Sequence, residues 1–102
     1  RKSDRDFFRE LLRGVVAQVT SLDALLEPLL DRKLTELDKV ELALLRLGAY
    51  ELRERIDVPF RVVIDEYVEL AKVYGAEESF RYVNAVLDRL AQSVRAVEHR
   101  AS

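Results

Sequence analysis

Cysteine and methionine are absent from this sequence of 102 residues, which also holds only three glycines and two prolines. The lack of cysteine excludes disulfide bonds and thiolate metal sites, and it fits a reducing compartment such as the cytoplasm. No apolar run reaches the roughly 18 residues that span a membrane, and no signal peptide is visible. Because the formal net charge is −2, RNA binding would require a local patch or a partner.

What the sequence does contain is typical of a compact helical protein. Hydrophobic residues make up 49% and charged residues 35%, which argues against disorder. Apolar residues recur at helical spacing and never alternate over a strand's length, so we predict about five helices and no strand. The fold class is therefore an all-α bundle, with residues 1–102 forming one domain and residues 98–102 a flexible tail.

The first two helices are predicted upstream of Pro28. From Asp6 to about Val19 the apolar positions gather on one face of a helix, and they are Phe7, Phe8, Leu11, Leu12, Val15, Val16 and Val19. Thr20 and Asp23 read as a capping pair that opens a second helix. Pro28 lies too deep for a first-turn proline, so we expect a break near Glu27.

The third helix is predicted to be the buried centre of the bundle. Asp38 fits its N-cap, and Glu41 fits the third helical position, where a carboxylate faces the positive end of the helix dipole. Its apolar residues form two stripes, Leu42, Leu45, Ala49 and Leu52 in one and Val40, Ala43, Leu44, Leu47 and Tyr50 in the other. Glu41 and Gly48 lie between the stripes. A helix that is apolar on two sides requires neighbours on two sides.

Two further helices flank the stretch "VYGAEESFRYVNAVLD", residues 73–88. The fourth runs from Phe60 to Tyr74 with a stripe that includes Leu70 and Tyr74, and Gly75 is expected to close it in a left-handed conformation. The fifth runs from Ser79 to about Val97. Tyr74 and Tyr82 are predicted at one corner, where they either stack unpaired bases or cover the edge of the core with their hydroxyls in water.

Enzymatic chemistry has no support in the pattern of side chains. The only histidine, His99, lies in the predicted tail, where we expect it to be solvated. Asp65 and Glu69, four residues apart, are interpreted as a solvated acidic face rather than a metal site. Arg46 and Arg53 could contact phosphate, but pairing with glutamates or solvation is the simpler interpretation. We therefore predict no enzyme, no cofactor and no metal site.

Three ordered stretches, "LRLGAYEL", "DVPFRVVIDEYVELAK" and "FRYVNAVLD", resemble the NusB family of bacterial transcription antitermination factors. Two shorter pieces, "FFRELLRGV" and "LLEPLL", match the segment just upstream, so the resemblance covers about residues 7–92. Three motifs in family order and at family spacing are far more specific than any one of them alone.

The resemblance implies an all-helical fold and a non-catalytic adaptor. NusB-like proteins pair with NusE, a small-subunit ribosomal protein, bind boxA RNA of ribosomal RNA leader transcripts, and act within the RNA polymerase antitermination complex. Carried over by position, the RNA-side residues are Tyr74, Glu78, Arg81 and Tyr82, and the NusE-side residues are Glu36 and Glu41. Glu41 has a second reading as a carboxylate that stabilises its own helix.

The family's N-terminal arginine-rich helical pair has no counterpart in this sequence, which we interpret as a truncated chain. We expect weak RNA binding from these 102 residues alone. We also expect an exposed apolar surface on the first or central helix, which would drive self-association into a homodimer. Two alternatives stay open, an RNA-binding module of a ribosomal RNA cytosine methyltransferase and a dimeric helical scaffold without RNA.

Overall fold

The structure, a computed structural model, describes residues 4–101, with side chains from residue 5 onward. All regular elements in this range are helical, which confirms the predicted fold class. The six α-helices are α1 (Asp4–Ala17), α2 (Val19–Leu26), α3 (Lys39–Glu54), α4 (Phe60–Tyr74), α5 (Ser79–Val94) and α6 (Ala96–Ala101), and two 3₁₀ turns, Glu27–Leu29 and Leu34–Glu36, join α2 to α3. None of these helices is both long and apolar enough to cross a membrane.

Helix α3 occupies the centre of the bundle, as its two apolar stripes predicted. It packs against α1, α2, α4 and α5. Leu45, Ala49 and Leu52 have no exposed surface. Full burial of a leucine side chain is worth roughly 1.5–3 kcal/mol, so this helix supplies a large share of the apolar core.

Burial along α3 differs from the pattern of its two stripes. Glu41 and Gly48, which lie between the stripes, are buried, whereas Val40 and Ala43, which belong to the second stripe, are exposed. A Cβ atom on Gly48 would lie 2.7 Å from a methyl carbon of Leu87. The absence of a side chain at Gly48 therefore lets α5 approach α3 closely. Gly48 is buried because of this close approach of the two helices.

Helix boundaries that depend on local chemistry agree with the sequence. The Asp38 carboxylate accepts the N–H groups of Val40 and Glu41, both at 3.1 Å, which confirms Asp38 as the N-cap of α3. The predicted break near Glu27 is also confirmed, because α2 ends at Leu26 and a 3₁₀ turn containing Pro28 follows.

The capping pair predicted at the start of α2 is wrong. This helix begins at Val19, so Thr20 lies inside its first turn. The Asp23 carboxylate instead accepts two hydrogen bonds from the Arg46 guanidinium, both at 2.8 Å. This bidentate pair ties α2 to α3, and it confirms the interpretation of Arg46 as an ion-pair partner.

Helix α1 buries only part of its predicted apolar face. Leu11 and Val15 are buried, whereas Phe8 is 53%, Leu12 41% and Val16 74% exposed. The described part of the chain thus carries the exposed apolar surface expected on the first helix. Self-association through this surface stays a prediction.

The tail differs from its prediction. Helix α5 ends at Val94, and Ala96–Ala101 form α6 instead of a flexible tail; Ser102 lies outside the described residues. The His99 ring stacks on Phe60 with centroids 4.9 Å apart, and its Nε2 lies 3.0 Å from the Asp88 carboxylate. His99 is therefore not a solvated tail residue, because these contacts hold α6 against α4 and α5.

Glu98 connects α6 to the start of α4 and gives the fold an acid-sensitive contact. Its carboxylate accepts the Phe60 N–H at 2.8 Å and an Arg95 N–H at 2.7 Å. The hydrogen bond from Phe60, with a further contribution from Arg95, lowers the pKa of Glu98 below its ordinary value of 4.5. Because the pKa of Glu98 is lower in the folded state, the contact stabilises the fold fully at pH values above the unfolded-state pKa. This contribution is lost as the pH falls through the folded-state pKa.

We therefore expect the free energy of unfolding of Glu98→Gln to fall less than that of the wild type when the pH is lowered. The stability difference between the wild type and the variant should be largest at neutral pH and should shrink as the pH drops below about 4.5. Urea midpoints measured across this range check it, with Glu10→Gln on the exposed side of α1 as the control. A difference that stays constant with pH would contradict the assignment.

Candidate functional site

The joint between α4 and α5 forms a corner with two tyrosines. Tyr74, at the end of α4, is 69% exposed, whereas Tyr82 in α5 is half-buried. Glu78 and Arg81 are exposed and paired at 3.1 Å. We call these four residues the aromatic corner. The exposure of Tyr74 corrects its assignment to the buried stripe of α4; Leu70 is likewise exposed.

Tyr82 is held by two residues from the segment between α2 and α3. Its hydroxyl donates to the Asp31 carboxylate at 2.9 Å and accepts the Asp31 N–H at 3.3 Å. The Arg32 guanidinium lies over the Tyr82 ring, 4.7 Å from its centroid, and also bonds the Asp31 carboxylate at 2.8 Å. The arrangement is a cation–π stack with a fixed phenol.

The charges of this group follow from its hydrogen bonds. The Arg32 side chain, followed by the Tyr82 hydroxyl, lowers the pKa of Asp31 from its ordinary value. Burial raises the pKa of Tyr82. At neutral pH Asp31 is therefore a carboxylate and Tyr82 a neutral phenol that donates a proton to it.

The sequence pattern did not identify Asp31 and Arg32 as residues of this site. They lie in an irregular segment, where no helical periodicity marks a residue as facing the site. Their contacts with Tyr82 span about fifty positions of the chain; Asp31 and Tyr82 are 51 apart. The only signal in the sequence is that two charged residues follow the predicted break near Glu27 by a few positions. Such a charged pair is also common in surface loops.

The backbone of the joint is shaped differently from the prediction. Gly75 has φ −84° and ψ 170°, an extended and not a left-handed conformation. A Cβ atom there would lie 2.7 Å from the Ala71 carbonyl oxygen, so glycine serves close approach. The left-handed residue is Glu78, with φ 72°, directly before α5. A non-glycine residue in that region is uncommon, and it marks a backbone fixed by its surroundings.

The two acidic residues predicted to contact a partner differ in accessibility. Glu36 is exposed, and its carboxylate accepts the Lys33 N–H at 2.9 Å. Glu41 is only 6% exposed and accepts the Ser79 hydroxyl at 2.5 Å. The burial of Glu41 favours its internal role in joining α3 to α5, whereas Glu36 presents a carboxylate to solvent.

An open hollow of about 360 Å³ lies next to the corner. The exposed carboxylates of Glu36, Asp38 and Glu77 border it, and we call these three residues the acidic edge. It is lined by Arg32, Glu36, Asp38, Glu41, Ala76, Glu77, Glu78, Ser79 and Tyr82. Four of the six predicted site residues therefore meet around one depression. Tyr74 and Arg81 do not line it and lie on the outer side of the joint.

The remaining polar side chains indicate structural contacts. Arg53 pairs with Glu54 at 2.8 Å and also bonds Ser21 and Gln18, so it ties α3 to the start of α2. Among residues 4–101, no three histidine or carboxylate side chains are grouped so that they could hold a metal ion.

Comparison with known proteins decides the family. The sequence pattern of the NusB family matches residues 1–92. This chain belongs to the NusB family. The solved structure of T. maritima NusB superimposes with a TM-score of 0.87 at 34% identity, over 98% of this chain and 72% of that one. The NusB-like bundle expected from the sequence is thereby confirmed.

Curated NusB relatives are more similar still. The protein named Transcription antitermination protein NusB of Alcanivorax borkumensis is 61% identical over 97 residues, 95% of this chain and 65% of that protein. The protein of the same name from a Marinomonas species is 60% identical over 93% of this chain. This chain spans 65% of the first relative and 55% of the second.

The three NusB motifs correspond to the parts of the bundle that position the site. "LRLGAYEL" lies in the buried half of α3, "DVPFRVVIDEYVELAK" leads into α4, and "FRYVNAVLD" opens α5. All three belong to the helices that pack together around the joint. The motifs therefore fix the relative placement of the corner residues, and the third motif also supplies Arg81 and Tyr82.

Proposed function

We propose that this chain acts in transcription antitermination as a non-catalytic, cytoplasmic adaptor. In this proposal it pairs with a NusE-type ribosomal protein, and the pair binds boxA RNA of ribosomal RNA leader transcripts within the RNA polymerase antitermination complex. Support comes from family membership and from relatives named transcription antitermination proteins. The structural observation that carries the proposal is the aromatic corner, where Tyr74 is exposed and where Glu78 and Tyr82 share one hollow with an accessible acidic edge.

The RNA side of the proposal is the aromatic corner. Unpaired bases stack on exposed aromatic rings and on guanidinium planes, and each stacked base is worth about 1–3 kcal/mol. Tyr74 offers an exposed ring. The ring of Tyr82 is covered by Arg32 on one face, so a base there would stack on the outer surface of the guanidinium. Arg32 and Arg81 add positive charge for phosphate, which makes binding fall with salt.

The partner side is the acidic edge at Glu36. Together with Asp38 and Glu77 it places three exposed carboxylates around the hollow. Such an edge steers a basic protein toward the site and discriminates against acidic ones. Because Glu36 and Tyr82 line the same hollow, a protein bound at the edge would lie next to the RNA. The two partners then share one combined surface.

Tyr74→Ala is expected to weaken boxA binding by this chain together with the NusE-type protein about 10-fold, because one stacking surface is lost. Glu36→Lys is expected to weaken association with the NusE-type protein. Fluorescence anisotropy of a labelled boxA oligonucleotide, with and without the NusE-type protein, measures both steps.

Matched controls exist on α1. Phe8→Ala removes an exposed aromatic ring away from the corner, and Glu10→Lys reverses an exposed charge away from the edge. Neither should change RNA or protein binding by more than about 2-fold. The site assignment fails if Tyr74→Ala behaves like Phe8→Ala. The function itself fails if wild-type protein and partner together retain no boxA RNA.

A further inference from the structure

The outward face of α4 is apolar and acidic, and the site described above does not use it. Val62 is 47%, Leu70 38% and Val73 69% exposed. These three residues, with the carboxylates of Asp65, Glu66 and Glu69, line a shallow groove of about 580 Å³. We call these six residues the α4 face.

The helical geometry gives this face an ordered layout. At 100° per residue, Val62, Glu66 and Val73 lie along one line of the helix. Leu70 lies on one side of that line, and Asp65 and Glu69 lie on the other. The opposite side of α4 is buried and holds the helix in the bundle; its residues are Phe60, Val63, Ile64, Tyr67 and Ala71. The α4 face therefore lies on the side of α4 that points away from the bundle.

The chemistry of the face defines what can cover it. Its apolar residues follow the spacing i, i+8 and i+11, over about 16 Å, which matches three turns of an opposing helix. Its three carboxylates repel RNA and anionic lipid, and the nearby Lys72 is paired with Glu69 at 3.0 Å. Exposed single hydrophobic residues are ordinary, but three beside an acidic border form a patch with a defined complement.

We infer that the α4 face is a docking surface for a basic amphipathic helix of a partner protein. The apolar side of that helix would cover Val62, Leu70 and Val73, and lysines or arginines on its border would pair with Asp65 and Glu69. The inference does not rest on RNA binding, since the aromatic corner and the acidic edge lie outside the groove.

The test uses a designed probe of defined chemistry. A labelled 18-residue helix made of leucine and lysine in amphipathic register is titrated with the protein, and the same peptide with glutamate for lysine is the negative probe. Wild-type protein should bind the lysine peptide at least about 10-fold more tightly than the glutamate peptide. Backbone amide shifts in NMR spectra should change along α4.

Variants separate a docking surface from general charge attraction. Asp65→Lys/Glu69→Lys and Leu70→Gln/Val73→Gln should each weaken binding of the lysine peptide about 10-fold. The matched controls Asp6→Lys/Glu10→Lys and Leu12→Gln/Val16→Gln, double changes at exposed positions of α1, should change it less than about 2-fold. All four substitute exposed residues, so thermal melts should be unchanged.

Three results would overturn the inference. One is equal weakening by the face variants and their controls, which indicates non-specific attraction. Another is peptide-induced shifts that lie on α1 or at the corner and leave α4 unaffected. The third is self-association that Asp65→Lys/Glu69→Lys abolishes, which identifies a second copy of this chain as the occupant. Loss of boxA binding in the same variants is not expected, so failure here is distinct from failure of the proposed function.

Discussion

Replacing Arg95 by methionine is expected to lower the free energy of unfolding by about 3–5 kcal/mol, because carbonyl groups in the interior lose their hydrogen-bond donor. Arg95 is only 5% exposed and lies directly after α5. Its guanidinium donates to the carbonyl oxygens of Leu52 at 2.6 Å, Arg55 at 2.7 Å and Val58 at 2.9 Å, and to the Glu98 carboxylate at 2.7 Å. One side chain thus satisfies the Leu52 carbonyl in the last turn of α3 and bonds two carbonyls of the loop that follows.

The size of this effect follows from what methionine cannot do. It fills much of the volume but donates no hydrogen bond, so the Leu52 and Val58 carbonyls lose the bonds from Arg95 at about 1–3 kcal/mol each before relaxation. Glu98 loses its cation at the same time. Urea denaturation monitored by circular dichroism measures the loss.

Arg100→Met, at an exposed position in α6, is the control and should change stability by less than about 0.5 kcal/mol. Arg95→Lys keeps the charge but not the planar set of donors, so it should fall between the wild type and Arg95→Met. Equal stability of Arg95→Met and Arg100→Met would show that water replaces the guanidinium without cost.

The second large effect is expected at Glu41, where a lysine should destabilise the fold by about 3 kcal/mol. The carboxylate is buried against the Ser79 hydroxyl, and it lies at the start of α3, where the helix dipole favours negative charge. Lysine reverses that interaction and leaves the hydroxyl without its acceptor. Partner binding measured with this variant would therefore report unfolding as well as contact.

Glu41→Gln separates the two roles, because its amide oxygen still accepts the Ser79 hydroxyl. It should cost less than about 1 kcal/mol and leave NusE-type binding near the wild-type value. Glu36→Lys, by contrast, should leave stability unchanged and weaken binding. If Glu41→Lys is as stable as the wild type but no longer binds the partner, Glu41 is a surface contact and its internal role is overestimated.

A feature follows from the sequence when the interactions that create it act between residues close together in the chain. The N-cap at Asp38 and the break at Pro28 are confirmed, since each depends on residues within one turn. The left-handed residue was assigned to Gly75 from general preference, but Gly75 is extended and the left-handed residue is Glu78, directly before α5. Ser79, the first residue of α5, bonds Glu41, 38 positions away, and local preference does not encode that contact.

The sequence by itself determined the helices, the central place of α3 and the family, because helical hydrogen bonds and apolar periodicity are local and repeat along the chain. Only the tertiary structure decided that Asp31 holds Tyr82, that Arg95 caps α3 and that α4 leaves an acidic apolar face exposed. These features arise when residues 43 or 51 positions apart meet in the bundle. A periodic pattern identifies the buried side of each helix, but the approach of one helix to another selects which polar groups become partners.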